Sequence, residues 1–141
     1  LTADGGVFLR SMASRGNLGG LSETATAVVD VMDAAGLDVV LLETVGAGQD
    51  EVEVATATQT TVLVTAPAGG DDVQAMKAGL MEIADIFVIN KTDYNGAELL
   101  EKELISHSEL SAKKHIPIIK TIATSGSGIK NLITAIEKFF V

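Results

Sequence analysis

The chain has 141 residues, 47% hydrophobic and 21% charged, with a formal net charge of −9 and no cysteine. That length suits one domain with a buried core, and the balance belongs to a globular chain rather than a disordered one. Disulfides and thiolate metal sites are excluded, and a polyanion such as nucleic acid is electrostatically repelled, so no nucleic-acid partner is expected.

No apolar run approaches the ~18 residues of a membrane span, and no cationic start followed by an apolar stretch marks a signal peptide. Together with the missing cysteines this predicts a cytoplasmic protein without membrane contact. The elements then alternate along the chain. Residues 7–12 read as a short strand and 16–20 as a glycine-rich turn. From Leu21 to about Ala35 the apolar residues recur at helical spacing, and Gly36 is a natural stop. Residues 38–43 (DVVLLE) are nearly continuous in apolar character, the pattern of a strand covered on both faces. A second buried strand is expected over 60–65. Asp71 and Asp72 open a helix through Met76 and Leu80, their charge matching the positive end of its dipole. Another core strand follows over 85–90, an amphipathic helix from Ala97 to about Lys113, and a strand over 117–123. Residues 129–140 close the chain as a helix with Leu132, Ile133, Ile136, Phe139 and Phe140 on its apolar side.

Strands alternating with helices predict an α/β fold, a three-layer domain around a mainly parallel sheet, and no second domain. Ligands of such sheets gather at the carboxyl ends of the strands, where Glu43, Pro67, Asn90 and Thr124 all fall.

Three segments on that rim carry chemistry. Asn90-Lys91-Thr92-Asp93 follows a buried strand directly. An aspartate carboxylate accepts two side-by-side hydrogen bonds from guanine N1–H and its 2-amino group. Adenine offers neither, and sites built around such a bond discriminate by roughly 10⁴. Asn90 can tie neighbouring loops together, and the Lys91 stem can cover one face of the base. A bare four-residue match can also be a polar turn; its place after a buried strand favours the base-reading role. Glu43-Thr44-Val45-Gly46 ends the run 38–42. An acid there can hold Mg²⁺ and order an attacking water, and Gly46 lets a backbone N–H approach a terminal phosphate. Gly46-Ala47-Gly48-Gln49 is a loop able to sense that phosphate. Taken alone, the same segment is an ordinary strand end and turn. Ala123, Thr124 and Ser125, followed by Gly126, are short enough for backbone N–H groups to reach the guanine carbonyl oxygen, although Ser/Gly turns are common. All three in order, each after its own strand, reinforce one another.

These segments resemble the third, fourth and fifth sequence elements of GTPases, and more narrowly the ArgK/MeaB family, the G-protein chaperones of cobalamin-dependent methylmalonyl-CoA mutase and related acyl-CoA mutases. The narrowing rests on FLRSMASRG over 8–16 with LGG over 18–20, ETVGAGQ over 43–49, GDDVQAMKAG over 70–79, EIAD over 82–85, and Asn90–Asp93. The resemblance implies a P-loop NTPase-type fold, GTP and GDP as ligands with Mg²⁺, and GTP hydrolysis in the service of a mutase. It implies Glu43 as metal and water residue, Gly46 and Gln49 in the second switch, and Asn90, Lys91 and Asp93 with 123–125 on the nucleotide. Residues 69–79 would form a third switch facing the mutase, with Gln74 and Lys77 as contacts; Lys77 can equally be a solvated helix residue. No role is assigned to Arg10 or Arg15.

The phosphate-binding pattern G-x-x-x-x-G-K-[ST] is missing, since the sequence contains no Gly-Lys pair. The chain begins at Leu1 and reads as a piece of a longer protein, with the phosphate loop and metal-binding aspartates upstream and dimerising extensions beyond it. The 141 residues alone are expected to be inactive as a GTPase. Two other readings stand beside this one: a nickel-enzyme maturation GTPase, disfavoured by the lack of cysteine, and a non-catalytic remnant acting through protein contacts. His107 and His115 are eight apart with no third ligand beside them, and read as surface or helix-end histidines.

Overall fold

The computed structural model describes residues 4–12, 23–44, 55–67, 78–110, 113 and 115–140. The chain divides into two compact units, Leu1–Val54 and Ala55–Val141.

In the first unit α1 spans Glu23–Ala34. Its less exposed residues, Ala25, Val28, Val29 and Met32, recur three and four apart along one side. The helix stops as the sequence predicts. Gly36 takes a left-handed φ of 83°, its N–H donates to the Asp33 carbonyl (2.9 Å), and the Leu37 N–H donates to that of Met32 (3.2 Å). This paired closure satisfies carbonyls that the last turn leaves open. Two strand expectations do not materialise. Residues 7–12 and 38–44 join no ladder among the described residues. Phe8, Leu9, Val39 and Leu41 are exposed, Leu41 at 86%. An apolar run predicts cover on both faces, but a ladder also needs a neighbouring strand, which composition does not supply.

The second unit is built on β1 (Val62–Thr65), β2 (Ile86–Ile89) and β3 (Ile118–Lys120), in the order β1-β2-β3 with both pairings parallel. The crossovers carry α2 (Ala78–Ile83) and α3 (Ala97–Leu110), and α4 (Ile129–Glu137) follows β3. All four residues of β2 are buried. Its side chains alternate between two cores, as the two-residue repeat of a strand demands. Phe87 and Ile89 join Met81, Leu100, Leu104 and Ile116 on one face; Ile86 and Val88 meet Ala135, Leu132 and Ile136 on the other. The unit is therefore three-layered: α2 and α3 on one face, the sheet, and α4 on the other.

The closing helix is shorter than predicted and turned differently. Leu132 and Ile136 pack on the sheet, with Ala135 as the buried residue of α4. Ile133 (50%), Phe139 (39%) and Phe140 (50%) stay exposed, the last two because the helix has already ended. The helix expected from Asp71 lies outside the described residues up to 77; α2 is its described part. At the amino end of the sheet Asp85 is a clamp. Its Oδ2 accepts from the Thr61 N–H (2.9 Å) and its Oδ1 pairs with Lys113 Nζ (2.6 Å), while Lys113 also donates to the Ile83 carbonyl (3.0 Å).

Candidate nucleotide-binding rim

Because the three strands are parallel, their carboxyl ends share one rim, formed by the segments after Thr65, Ile89 and Lys120. The register pairs Ile89 with Lys120, so the next residues, Asn90 and Thr121, lie side by side. Backbone bonds carry the pairing past the strands: the Asn90 N–H donates to the Thr65 carbonyl (2.7 Å), and the Thr121 N–H to that of Ile89 (2.8 Å).

The Asn90 side chain joins the two loops. Its Oδ1 accepts from the Thr121 hydroxyl (3.1 Å) and from the Ala123 N–H (3.0 Å). With the carbonyl oxygen engaged, the two amide N–H bonds on Nδ2 have no partner among the described residues. Lys91 then turns the chain with a left-handed φ of 56°, unusual for a residue with a side chain. Thr92 places both its N–H and its hydroxyl on the Thr121 carbonyl, each at 3.2 Å. The Tyr94 N–H donates to the Lys91 carbonyl (3.0 Å), closing a four-residue turn with Asp93 inside it. Asp93 is exposed and takes no hydrogen bond from the described residues. Gly96, with φ 98°, brings this loop against Pro67 after β1: a Cβ added there would stand 3.6 Å from the Pro67 Cβ.

The third loop is short and internally bonded. Ile122 and Ser127 form an isolated antiparallel bridge, and Ser125 donates through both N–H and Oγ to the Ile122 carbonyl (3.1 Å each). The Thr124 N–H makes no hydrogen bond among the described residues, which leaves a donor on the exposed rim. Behind it Gly128, φ 77°, lies against β3 so closely that an added Cβ would overlap the Lys120 carbonyl.

The second unit thus brings together Asn90, Lys91, Asp93, Ala123, Thr124 and Ser125. Glu43 belongs to the first unit, exposed and unpaired among the described residues. Gly46, Gln49, Gln74 and Lys77 lie outside the described residues. Thr92 and Thr121 escaped the sequence reading. The signal for Thr121 was a hydroxyl residue ending an apolar run, visible as a partner of Asn90 only once the register is known. A cavity of about 550 Å3, lined by Ile105, Ser108, Glu109, His115, Ile116 and Ile118, sits at the opposite end of the sheet. It shares no residue with the rim, and Ser108 Oγ is already engaged by the Ile116 N–H (3.1 Å). No cluster of three or more metal-ligating side chains occurs among the described residues. No helix among them is long and apolar enough to cross a membrane.

The family model described as methylmalonyl Co-A mutase-associated GTPase MeaB matches residues 1–141. A Pyrococcus horikoshii protein provisionally named a GTPase is 49% identical over 97% of this chain and 45% of its own length. The Escherichia coli protein named GTPase ArgK is 49% identical over 61% of this chain and 26% of its own length. The Mus musculus mitochondrial protein named methylmalonic aciduria type A homolog is 33% identical over 99% of this chain and 35% of its own. The chain spans less than half the length of each of these relatives. Sequence match, parallel three-layer fold and the Asn90–Asp93 loop at a strand's carboxyl end agree, and the chain belongs to the MeaB family of methylmalonyl-CoA mutase-associated GTPases.

Proposed function

We propose that this chain supplies the base-reading and switch part of a guanine-nucleotide site, in a cytoplasmic protein that binds and hydrolyses GTP as chaperone of a cobalamin-dependent acyl-CoA mutase of the methylmalonyl-CoA mutase type. Residues 1–141 are, in this reading, part of a single GTPase domain, with homodimerisation through segments beyond them. The observation that carries it is the Asn90–Asp93 loop. The Thr92 N–H and hydroxyl and the Asn90 carbonyl oxygen are engaged with Thr121 and Ala123 in the segment after β3, while the Asp93 carboxylate and the Asn90 amide N–H bonds have no partner among the described residues. An exposed acceptor pair suits guanine N1–H and its 2-amino group. The free Thr124 N–H suits the guanine carbonyl, and the Lys91 stem covers the ring.

Mg²⁺ fits the donor chemistry of Glu43. A carboxylate without a partner among the described residues is a hard oxygen ligand, and Mg²⁺ is commonly held by one or two carboxylates completed by phosphate oxygens and water. Bound there, the ion would neutralise phosphate charge. Gly46 and Gln49 would sense the terminal phosphate, and Gln74 and Lys77 would contact the mutase. A G-x-x-x-x-G-K-[ST] stretch does not occur in these 141 residues, so the chain alone is expected to recognise the base without hydrolysing GTP.

The test is a titration of the isotope-labelled chain followed by amide NMR. GDP should shift the signals of residues 90–94 and 121–126, and ADP should leave them in place. An equal response to both nucleotides overturns the guanine reading. Capture of a cobalamin-dependent mutase, dependent on Gln74 and Lys77, tests the partner; capture unaffected by Gln74→Ala and Lys77→Ala together removes those two residues from the interface.

A further inference from the structure

We infer that Thr92, held by Thr121, is a positioning residue that sets the Asp93 carboxylate for the 2-amino group of guanine. The inference rests on the guanine reading above and deepens it. Among the described residues Asp93 has no tether of its own, so its direction follows from its neighbours in the turn. On one side the Lys91 carbonyl and Tyr94 N–H close that turn at 3.0 Å. On the other, Thr92 is fastened to the Thr121 carbonyl by two bonds, from N–H and from Oγ1, both 3.2 Å.

The anchor is itself rigid. Thr121 is 2% exposed, its N–H continues the ladder to Ile89 (2.8 Å), and its hydroxyl is spent on Asn90 (3.1 Å). Gly128 lies close behind it, where an added Cβ would stand 3.2 Å from the Thr121 Cα. The carbonyl of a buried residue bonded through both its N–H and its hydroxyl is a fixed point for the loop. Lys91 in its left-handed conformation is the strained link that the two Thr92 bonds hold in place. Removing only the hydroxyl lets the turn rock about its remaining N–H bond. That motion moves the carboxylate relative to the base without touching the base directly.

A purely structural threonine would weaken all nucleotides alike; a positioning one alters discrimination. Inosine diphosphate differs from GDP by lacking the 2-amino group, so the ratio of their affinities reports how well Asp93 is aimed. The experiment measures both affinities on the 141-residue chain by NMR titration, for the parent and for Thr92→Val, Thr92→Ala and Thr92→Ser. The GDP-over-inosine-diphosphate ratio should fall about three- to tenfold in the valine and alanine variants, the worth of one neutral hydrogen bond. Serine, which keeps the hydroxyl, should stay within about twofold of the parent. An unchanged ratio in either hydroxyl-free variant, or a serine variant as poor as valine, overturns the positioning role. A parent chain that does not distinguish GDP from ADP overturns the guanine reading and this inference with it.

Discussion

Replacing Asn90 by alanine tests whether one side-chain oxygen holds the rim together. Its Oδ1 accepts from the Thr121 hydroxyl and the Ala123 N–H, and the two losses are unequal. Thr121 is 2% exposed, so its hydroxyl would be stranded away from water at a cost of about 1–3 kcal/mol. Ala123 is exposed, water replaces its lost acceptor, and that bond contributes only about 0.5 kcal/mol. Asn90→Ala should therefore destabilise the second unit by about 1.5–3.5 kcal/mol, whereas Asn90→Asp, which keeps an acceptor oxygen in the same place, should lose less than half of that. Urea unfolding followed by far-ultraviolet circular dichroism measures the global loss. With a denaturant slope of about 1–3 kcal/mol per molar, the alanine midpoint falls by roughly 0.5–3.5 M. The single tyrosine, Tyr94, is 62% exposed in the loop itself, and its fluorescence reports the same transition locally. An alanine midpoint within about 0.2 M of the parent, or an aspartate variant as damaged as alanine, would refute the assignment of stability to this oxygen.

Three further outcomes follow from the same geometry. Asp93→Asn should lose guanine by two or more orders of magnitude and gain xanthine, whose 2-carbonyl accepts from the new amide; retained GDP affinity in the NMR titration would remove Asp93 from the base site. Gly128→Ala combines a left-handed residue with an overlap of the Lys120 carbonyl and should cost on the order of 3 kcal/mol in a urea series, with a shift of less than about 1 kcal/mol contradicting the close approach. Asp85→Ala should cost about 1–2 kcal/mol through the stranded Thr61 N–H, and Lys113→Met less than about 1 kcal/mol, because the Lys113 side chain is 46% exposed and such an ion pair is weak. Equal losses from the two would show that the ion pair, rather than the backbone contact, dominates.

The parts of this fold that were legible before any coordinates are those whose causes are local. Gly36 ends α1 because only a residue without a side chain enters that φ cheaply. The run 86–89 is a core strand because apolar residues at every position demand cover on both faces. The same rule failed over 38–43, where the apolar run is equally continuous but joins no ladder among the described residues. Helical spacing alone puts Phe139 and Phe140 on the apolar side of α4, whereas the helix ends at Glu137 and Ala135 is its buried residue. At the rim, the place of Asn90 and Asp93 directly after a buried strand was legible from the sequence. The roles of Thr92 and Thr121 were not, since they exist only through the pairing of Ile89 with Lys120, a register that one sequence does not encode in any local pattern.

The division of labour in the rim bears on why a guanine site would be built this way. The groups that shape the loop are spent within the rim: Asn90 Oδ1 accepts from the Thr121 hydroxyl and the Ala123 N–H, and the Thr121 carbonyl accepts from the Thr92 hydroxyl. The groups that would meet the base, the Asp93 carboxylate, the Asn90 amide N–H bonds and the Thr124 N–H, are unspent among the described residues. If Asp93 were bonded within the protein, guanine would have to displace that bond and the net gain would shrink towards zero. If the loop were not bonded, each binding event would carry the cost of ordering it. Spending one set of polar atoms on rigidity keeps the other set both free and aimed. Discrimination against adenine would then rest on the carboxylate of Asp93, which only the right base would satisfy. On that logic the most sensitive positions for specificity include residues that never touch the nucleotide, and Thr121, buried and bonded on three sides, is the one on which the others converge.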